Sequence, residues 1–138
     1  MSNQFQVELD QIKTMVEQMA VRISAPSSLL PTFGSSEDMG RPHVEVDADG
    51  YHLIVVEKGA EQYRTTTKSR DDLMFELFRN VASAMAFEFE MNQMPRAVDP
   101  RSVAFAKAIS ILSALNADWA QRQKRHYEEV LSTSPLRT

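Results

Sequence analysis

The chain has 138 residues, 43% of them hydrophobic and 25% charged, enough for one ordinary domain with a single core. It contains no cysteine, so disulfides, cysteine-ligated zinc and thiol catalysis are excluded. The formal charge of −4 is unevenly placed: residues 1–50 carry eight acids against three bases, and residues 51–138 eleven against twelve.

Nucleic acid needs a basic face, so the acidic N-terminal part disfavours it and suits a basic protein partner. Mild acidity also serves solubility alone, and charge by itself does not separate the two readings. No apolar run reaches 18 residues, so no membrane partner is expected. The first residues carry Glu8 and Asp10 and lack a basic start before an apolar run, unlike a secretory leader. The expected location is the cytoplasm.

Phe5, Leu9, Ile12, Val16, Met19 and Ile23 recur at spacings of three and four, which predicts an amphipathic helix over 4–23. The stripe suits packing on its own domain better than a coiled-coil seam. Residues 24–42 hold Pro26, Pro31, Pro42, Gly34 and Gly40 with five serines, and read as a long loop. Residues 43–67 read as a three-stranded antiparallel meander. The first strand alternates Val44 and Val46 with His43, Glu45 and Asp47; Asp49-Gly50 supplies a turn; the second strand, from Tyr51, is apolar on both faces and suits the centre. Gly59 turns the chain into a third strand.

Ser69 and Asp72 resemble a capping box opening a helix over about 70–92. Asp99-Pro100 predicts a second cap, for a helix to about Leu115 that buries Phe105, Ala108, Ile109 and Leu112. Asn116 caps a last helix over 117–132 with Trp119, Tyr127 and Val130 inward, and a frayed tail is expected over 133–138. The fold class is α+β: an N-terminal helix, the three-stranded meander, then three helices packed on the sheet, all in one domain over 1–138.

No catalytic constellation stands out. His43, His52 and His126 make no HExxH pattern, the four glycines are isolated, and there is no GxSxG elbow. No metal site and no cofactor are expected. Glu45, Asp47, Asp49 and Gly50 resemble half a calcium loop, but the twelfth position is Val56 where a bidentate glutamate is required. Period two puts Glu45 and Asp47 on one strand face. That face is either a solvated hairpin or a partner-facing acidic ridge. Arg122, Lys124 and Arg125 lie beside Trp119 and Tyr127, but these aromatics share the apolar stripe and read as core, not as a nucleic-acid platform.

The stretch LPTFGSSEDMGRPHVEVDADGYHLIVVEKGAEQYRTTT resembles bacterial immunity proteins of polymorphic-toxin systems. The likeness continues through FELFRNVASAMAFEFE and FAKAISILSALNADWAQRQKRHYEEVL, and so covers about residues 30–131. It rests on Gly50-Tyr51-His52, Glu57-Lys58-Gly59, Phe105-Ala106-Lys107, Asn116 and Trp119. Relatives more often carry arginine where Lys58 stands, which would give a bidentate fork that lysine lacks, and glutamine where Ala108 stands.

The resemblance implies a non-enzymatic inhibitor of the contact-dependent growth inhibition type. Such a protein stays in the cytoplasm and binds the C-terminal domain of a cognate toxin, often a basic nuclease. Gly50, Tyr51, Glu57, Gly59 and Trp119 would then hold the fold. Toxin contacts are expected on exposed acids: Glu37, Asp38, Glu45, Asp47 and Asp49. The alternative is an adaptor or self-associating domain using its first helix, and the state of homo-oligomerisation stays open.

Overall fold

A computed structural model describes residues 3–36 and 39–138. The elements are α1 (Asn3–Arg22), a single 3-10 turn (Ser27–Leu29), β1 (Thr32–Phe33), β2 (Met39–Asp47), β3 (Gly50–Glu57), β4 (Ala60–Thr67), α2 (Arg70–Met91), α3 (Pro100–Leu115) and α4 (Ala117–Thr133). They fall into two compact units, Met1–Leu77 and Phe78–Thr138. No helix among the described residues is long and apolar enough to cross a membrane.

In the first unit, α1 buries Leu9, Ile12 and Val16 from the middle of its predicted stripe, together with Ala20, which lies outside it. It stops in a Schellman arrangement. Ser24 takes a left-handed backbone (φ 55°), the Ala25 amide donates to the Ala20 carbonyl (2.9 Å) and the Ser24 amide to the Val21 carbonyl (3.1 Å). The sheet differs from the predicted meander: it has four strands in the order β1-β2-β3-β4 and is mixed, because β1 pairs parallel to β2.

The extra strand lies inside the predicted loop. Thr32 pairs with His43 and Phe33 with Val44, and the Gly34 amide then donates to the Val44 carbonyl (2.8 Å) from a left-handed conformation (φ 85°). Two residues are too few to display a period, so the strand leaves no alternation in the sequence. β2 also begins earlier than predicted, at Met39, with a register shift between Met39 and Pro42, where proline offers no amide to the ladder.

β3 has a neighbour on each side and buries Leu53 and Ile54 on opposite faces, as its two-faced apolar pattern predicts. Gly50 opens it at φ 133°, and a Cβ there would stand 2.4 Å from the Thr67 carbonyl oxygen, so only glycine fits. The Tyr51 hydroxyl donates to the Glu8 carboxylate, which also accepts from Arg70 (3.1 Å), tying α1, β3 and the start of α2 together. The Ser69 hydroxyl accepts from the Asp72 amide (3.0 Å), one half of the predicted capping box.

In the second unit, Phe78 stacks on Trp119 (centroids 6.1 Å apart) and Phe105 on Tyr127 (3.8 Å). Ala108, Ile111, Leu112, Leu115 and Ala120 fill the α3–α4 packing. The predicted caps form: Asp99 accepts from the Arg101 amide (3.1 Å), and Asn116 from the amides of Asp118 (2.9 Å) and Trp119 (3.2 Å).

The tail is tied down where fraying over 133–138 was predicted. Thr133 closes α4, Arg101 donates to the carbonyls of Ser134 (2.8 Å) and Pro135 (2.9 Å), and the Arg137 amide donates to Asp99 (3.1 Å). One buried carboxylate, saturated by donors from both ends of the unit's sequence, recruits a polar tail that has no apolar reason to pack.

Candidate functional site

Alternation along β2 puts His43, Glu45 and Asp47 on one sheet face. The two-residue turn Ala48-Asp49 fixes the register of the next strand, so His52 lies opposite Glu45 and Ile54 opposite His43. On β4, Thr66 lies opposite His52 and Arg64 opposite Ile54. One face of the sheet thus gathers two histidines, two acids, a threonine and an arginine.

Each acid is held by a histidine. The His43 Nε2 stands 2.6 Å from a Glu45 oxygen, and the His52 Nε2 2.7 Å from an Asp47 oxygen. Both histidine side chains are only 4% exposed, whereas those of Glu45 and Asp47 are 42% and 50% exposed. The carboxylates therefore face water from a buried imidazole floor. An ionised carboxylate only accepts, so each Nε2 carries a proton, and in the neutral ring each Nδ1 is left with a lone pair. In His52 that lone pair faces the Thr66 hydroxyl at 2.8 Å; in His43 the Nδ1 is buried with no partner among the described residues.

The hydrogen bond from His52 holds the Asp47 carboxyl below its ordinary range, aided by the backbone amides of Asp49 and Gly50. The Asp49 amide reaches Asp47 at 2.9 Å, and the Asp49 carbonyl accepts from Lys68. Beside them Arg64 grips Glu61 (2.9 Å), which lowers the Glu61 pKa and raises that of Arg64. Among the described residues, no group of three or more histidines and acids is placed to hold a metal ion.

Of the acids expected to meet a partner, Glu45, Asp47 and Asp49 come together along β2 and its turn. Glu37 and Asp38 lie outside the described residues. Among the residues expected to hold the fold, Gly50 occupies its turn, Tyr51 is half-buried on Glu8, and Trp119 is buried on Phe78. Glu57 is exposed at the end of β3, and Gly59 follows at φ 75° with open space around its Cα.

Sequence reading missed His43, His52 and Thr66 as partners of the ridge. Two of these were within reach. Alternation places His43 beside Glu45, and the tight Asp49-Gly50 turn places His52 on the same face. Thr66 depends on the bulged pairing of β3 with β4, between Val55 and Val56, which no local signal announces.

No curated protein and no solved structure matches the chain. A family model does, over residues 47–129, from the end of β2 into α4: that of Immunity protein 63. The match spans well over half of the 138 residues, and the protein belongs to the Immunity protein 63 family.

Proposed function

We propose that the protein neutralises a cognate bacterial toxin domain by binding it, without turning over a substrate. Family membership carries this reading. Its sharper form is ours. The toxin is a basic nuclease domain at the C-terminus of a polymorphic toxin of the contact-dependent type, and the encounter takes place in the cytoplasm. The docking surface is the ridge of Glu45, Asp47 and Asp49, and Glu37 and Asp38 are proposed as further toxin contacts.

A ridge whose acids are held from below by imidazoles is pre-organised, so little side-chain freedom is lost when a basic partner arrives. Its charge steers the encounter.

The test is co-expression with the C-terminal domain encoded by any large gene found directly upstream, followed by kinetics on the purified pair. Rescue of growth and tight binding are expected. Reversing Glu45, Asp47 and Asp49 together to lysine should slow association by about tenfold or more at low salt, an effect that shrinks as salt screens it. An unchanged association rate would remove the ridge from the interface while leaving neutralisation intact.

Self-association through α1 is the second reading. Its supporting observation is a groove of about 520 Å³ lined by Val7, Asp10, Gln11, Thr14, Met15 and Arg70, with Val7 exposed along it. Native mass spectrometry of the lone protein decides it: a stable homo-oligomer favours this reading.

A further inference from the structure

We propose that Thr66 is an activated hydroxyl and a modification site for activated acyl donors, with His52 as its base and Asp47 as the group that orients His52. This goes beyond toxin binding and concerns a single covalent event on the protein, not turnover of a substrate.

Asp47, His52 and Thr66 form an unbroken carboxylate–imidazole–hydroxyl chain, at 2.7 Å and 2.8 Å. The direction of both bonds follows from donor and acceptor capacity. The carboxylate can only accept, so it takes the Nε2 proton of His52; in the neutral ring the Nδ1 is then an acceptor, and the Thr66 hydroxyl donates into it. This is the connectivity by which a hydroxyl becomes a nucleophile: the base takes the proton as the oxygen attacks, and the carboxylate stabilises the imidazolium that forms. Here the two ring nitrogens have exchanged roles.

The surroundings suit it. Burial of the imidazole keeps water from competing for the Nδ1. Thr66 is exposed, on an edge strand of the sheet, where a small reagent can reach its oxygen.

The same sheet supplies its own controls. His43 has the same acid-bound Nε2, but its Nδ1 meets no hydroxyl. Thr65 donates to the Tyr63 hydroxyl and Thr67 to the Ser69 carbonyl (3.2 Å), so neither adjacent threonine has a base.

The step balances. The Thr66 Oγ attacks the acyl carbon and forms a C–O bond while its proton moves to the His52 Nδ1. The tetrahedral adduct collapses, the bond to the leaving group breaks, and the leaving group departs with the electron pair. An ester on Thr66 remains, and the imidazolium returns its proton to solvent.

The experiment treats the intact protein with p-nitrophenyl acetate, follows nitrophenolate release, and maps acetyl groups by peptide mass spectrometry. Acetylation of Thr66 should outrun that of Thr65 and Thr67 by about a hundredfold, the ordinary scale of general-base assistance. Thr66→Ser should keep the adduct and Thr66→Val should abolish it. His52→Gln should slow acetylation of Thr66 to the rate of its neighbours. His52 is buried and this variant can misfold, so Asp47→Asn, at a surface acid, is the second variant and should slow the reaction by about tenfold or more. Acetyl groups on lysines with none on Thr66, or a Thr66 rate indifferent to Asp47→Asn, would overturn the proposal.

Discussion

Two pairs of carboxylates, one pair in each unit, are held in opposite ways. In the first, Glu45 and Asp47 stand half in water, each bonded to one buried imidazole. In the second, Asp99 and Glu90 have side chains only 3% and 2% exposed and are gripped by guanidinium groups: Asp99 by Arg101 (2.8 Å), Glu90 by Arg96 (2.6 Å and 2.7 Å). A single imidazole fixes an acid's direction and leaves about half of its side chain in water. A guanidinium with backbone amides cancels the charge locally and turns the acid into a fastener. Acids of one type thus stand open to water in one place and serve as fasteners in the other, and the difference lies in the donors around them.

Variants can break this comparison or sharpen it. The largest expected effect is in the second unit's core. Trp119→Ala removes the ring stacked on Phe78 and should cost about 3–5 kcal/mol in denaturant unfolding. A loss far smaller would mean that the second unit is not built around this residue.

Gly50→Ala comes next. The added methyl would meet the Thr67 carbonyl at 2.4 Å, in a backbone region that side chains avoid, so a loss of about 1–3 kcal/mol is expected. Because this turn sets the register that pairs Glu45 with His52, the variant should also disturb the histidine contacts, visible as shifted imidazole resonances.

Asp99→Asn should lower the melting temperature by a few degrees and also flatten its dependence on acid. The Arg101 guanidinium, then the Arg137 amide, hold the Asp99 carboxyl far below the usual carboxylate range. Its folded pKa is depressed, so its contribution is fully present above the unfolded-state value near 4, about the ordinary carboxylate pKa, and is lost as pH falls below it. A variant that keeps the wild-type slope between neutral and acid pH would show that Asp99 is not the fastener proposed.

The smallest expected effect on stability is that of the ridge. Lysine at positions 45, 47 and 49 should leave the far-ultraviolet circular dichroism unchanged and lower the unfolding midpoint only modestly, through the acceptors that His43 and His52 lose, while toxin association slows. A large loss of stability would erase the distinction between the two kinds of acid.

The caps at Asp99 and Asn116, a tight turn between β2 and β3 (placed one residue late, since Ala48-Asp49 make it and Gly50 opens β3), the α1 stripe and the two-faced character of β3 were legible in the sequence. Each depends on residues within one or two turns of the chain. The α+β class followed from the same local patterns; the family likeness rested on resemblance in residue motifs such as Gly50-Tyr51-His52 and Glu57-Lys58-Gly59. β1, by contrast, was hidden in a loop rich in proline and serine, because a two-residue strand exists only through its partner on β2. The acidic ridge was partly legible: the acids could be read, alternation and the turn put His43 and His52 within reach, and Thr66 needed the bulged pairing of β3 with β4.

What the sequence determined by itself was the type of each long element, where most of them start and stop, and which residue types crowd the β2 hairpin. Period, capping and turn chemistry act over a few residues and need no tertiary context. Only the tertiary structure decided that the sheet has a fourth, parallel strand, that the C-terminal tail is strapped to Asp99, and that Asp47, His52 and Thr66 line up in one hydrogen-bonded chain. These join residues whose meeting depends on register and packing, and a hydrogen bond is set by distances of a few tenths of an ångström that no periodicity encodes.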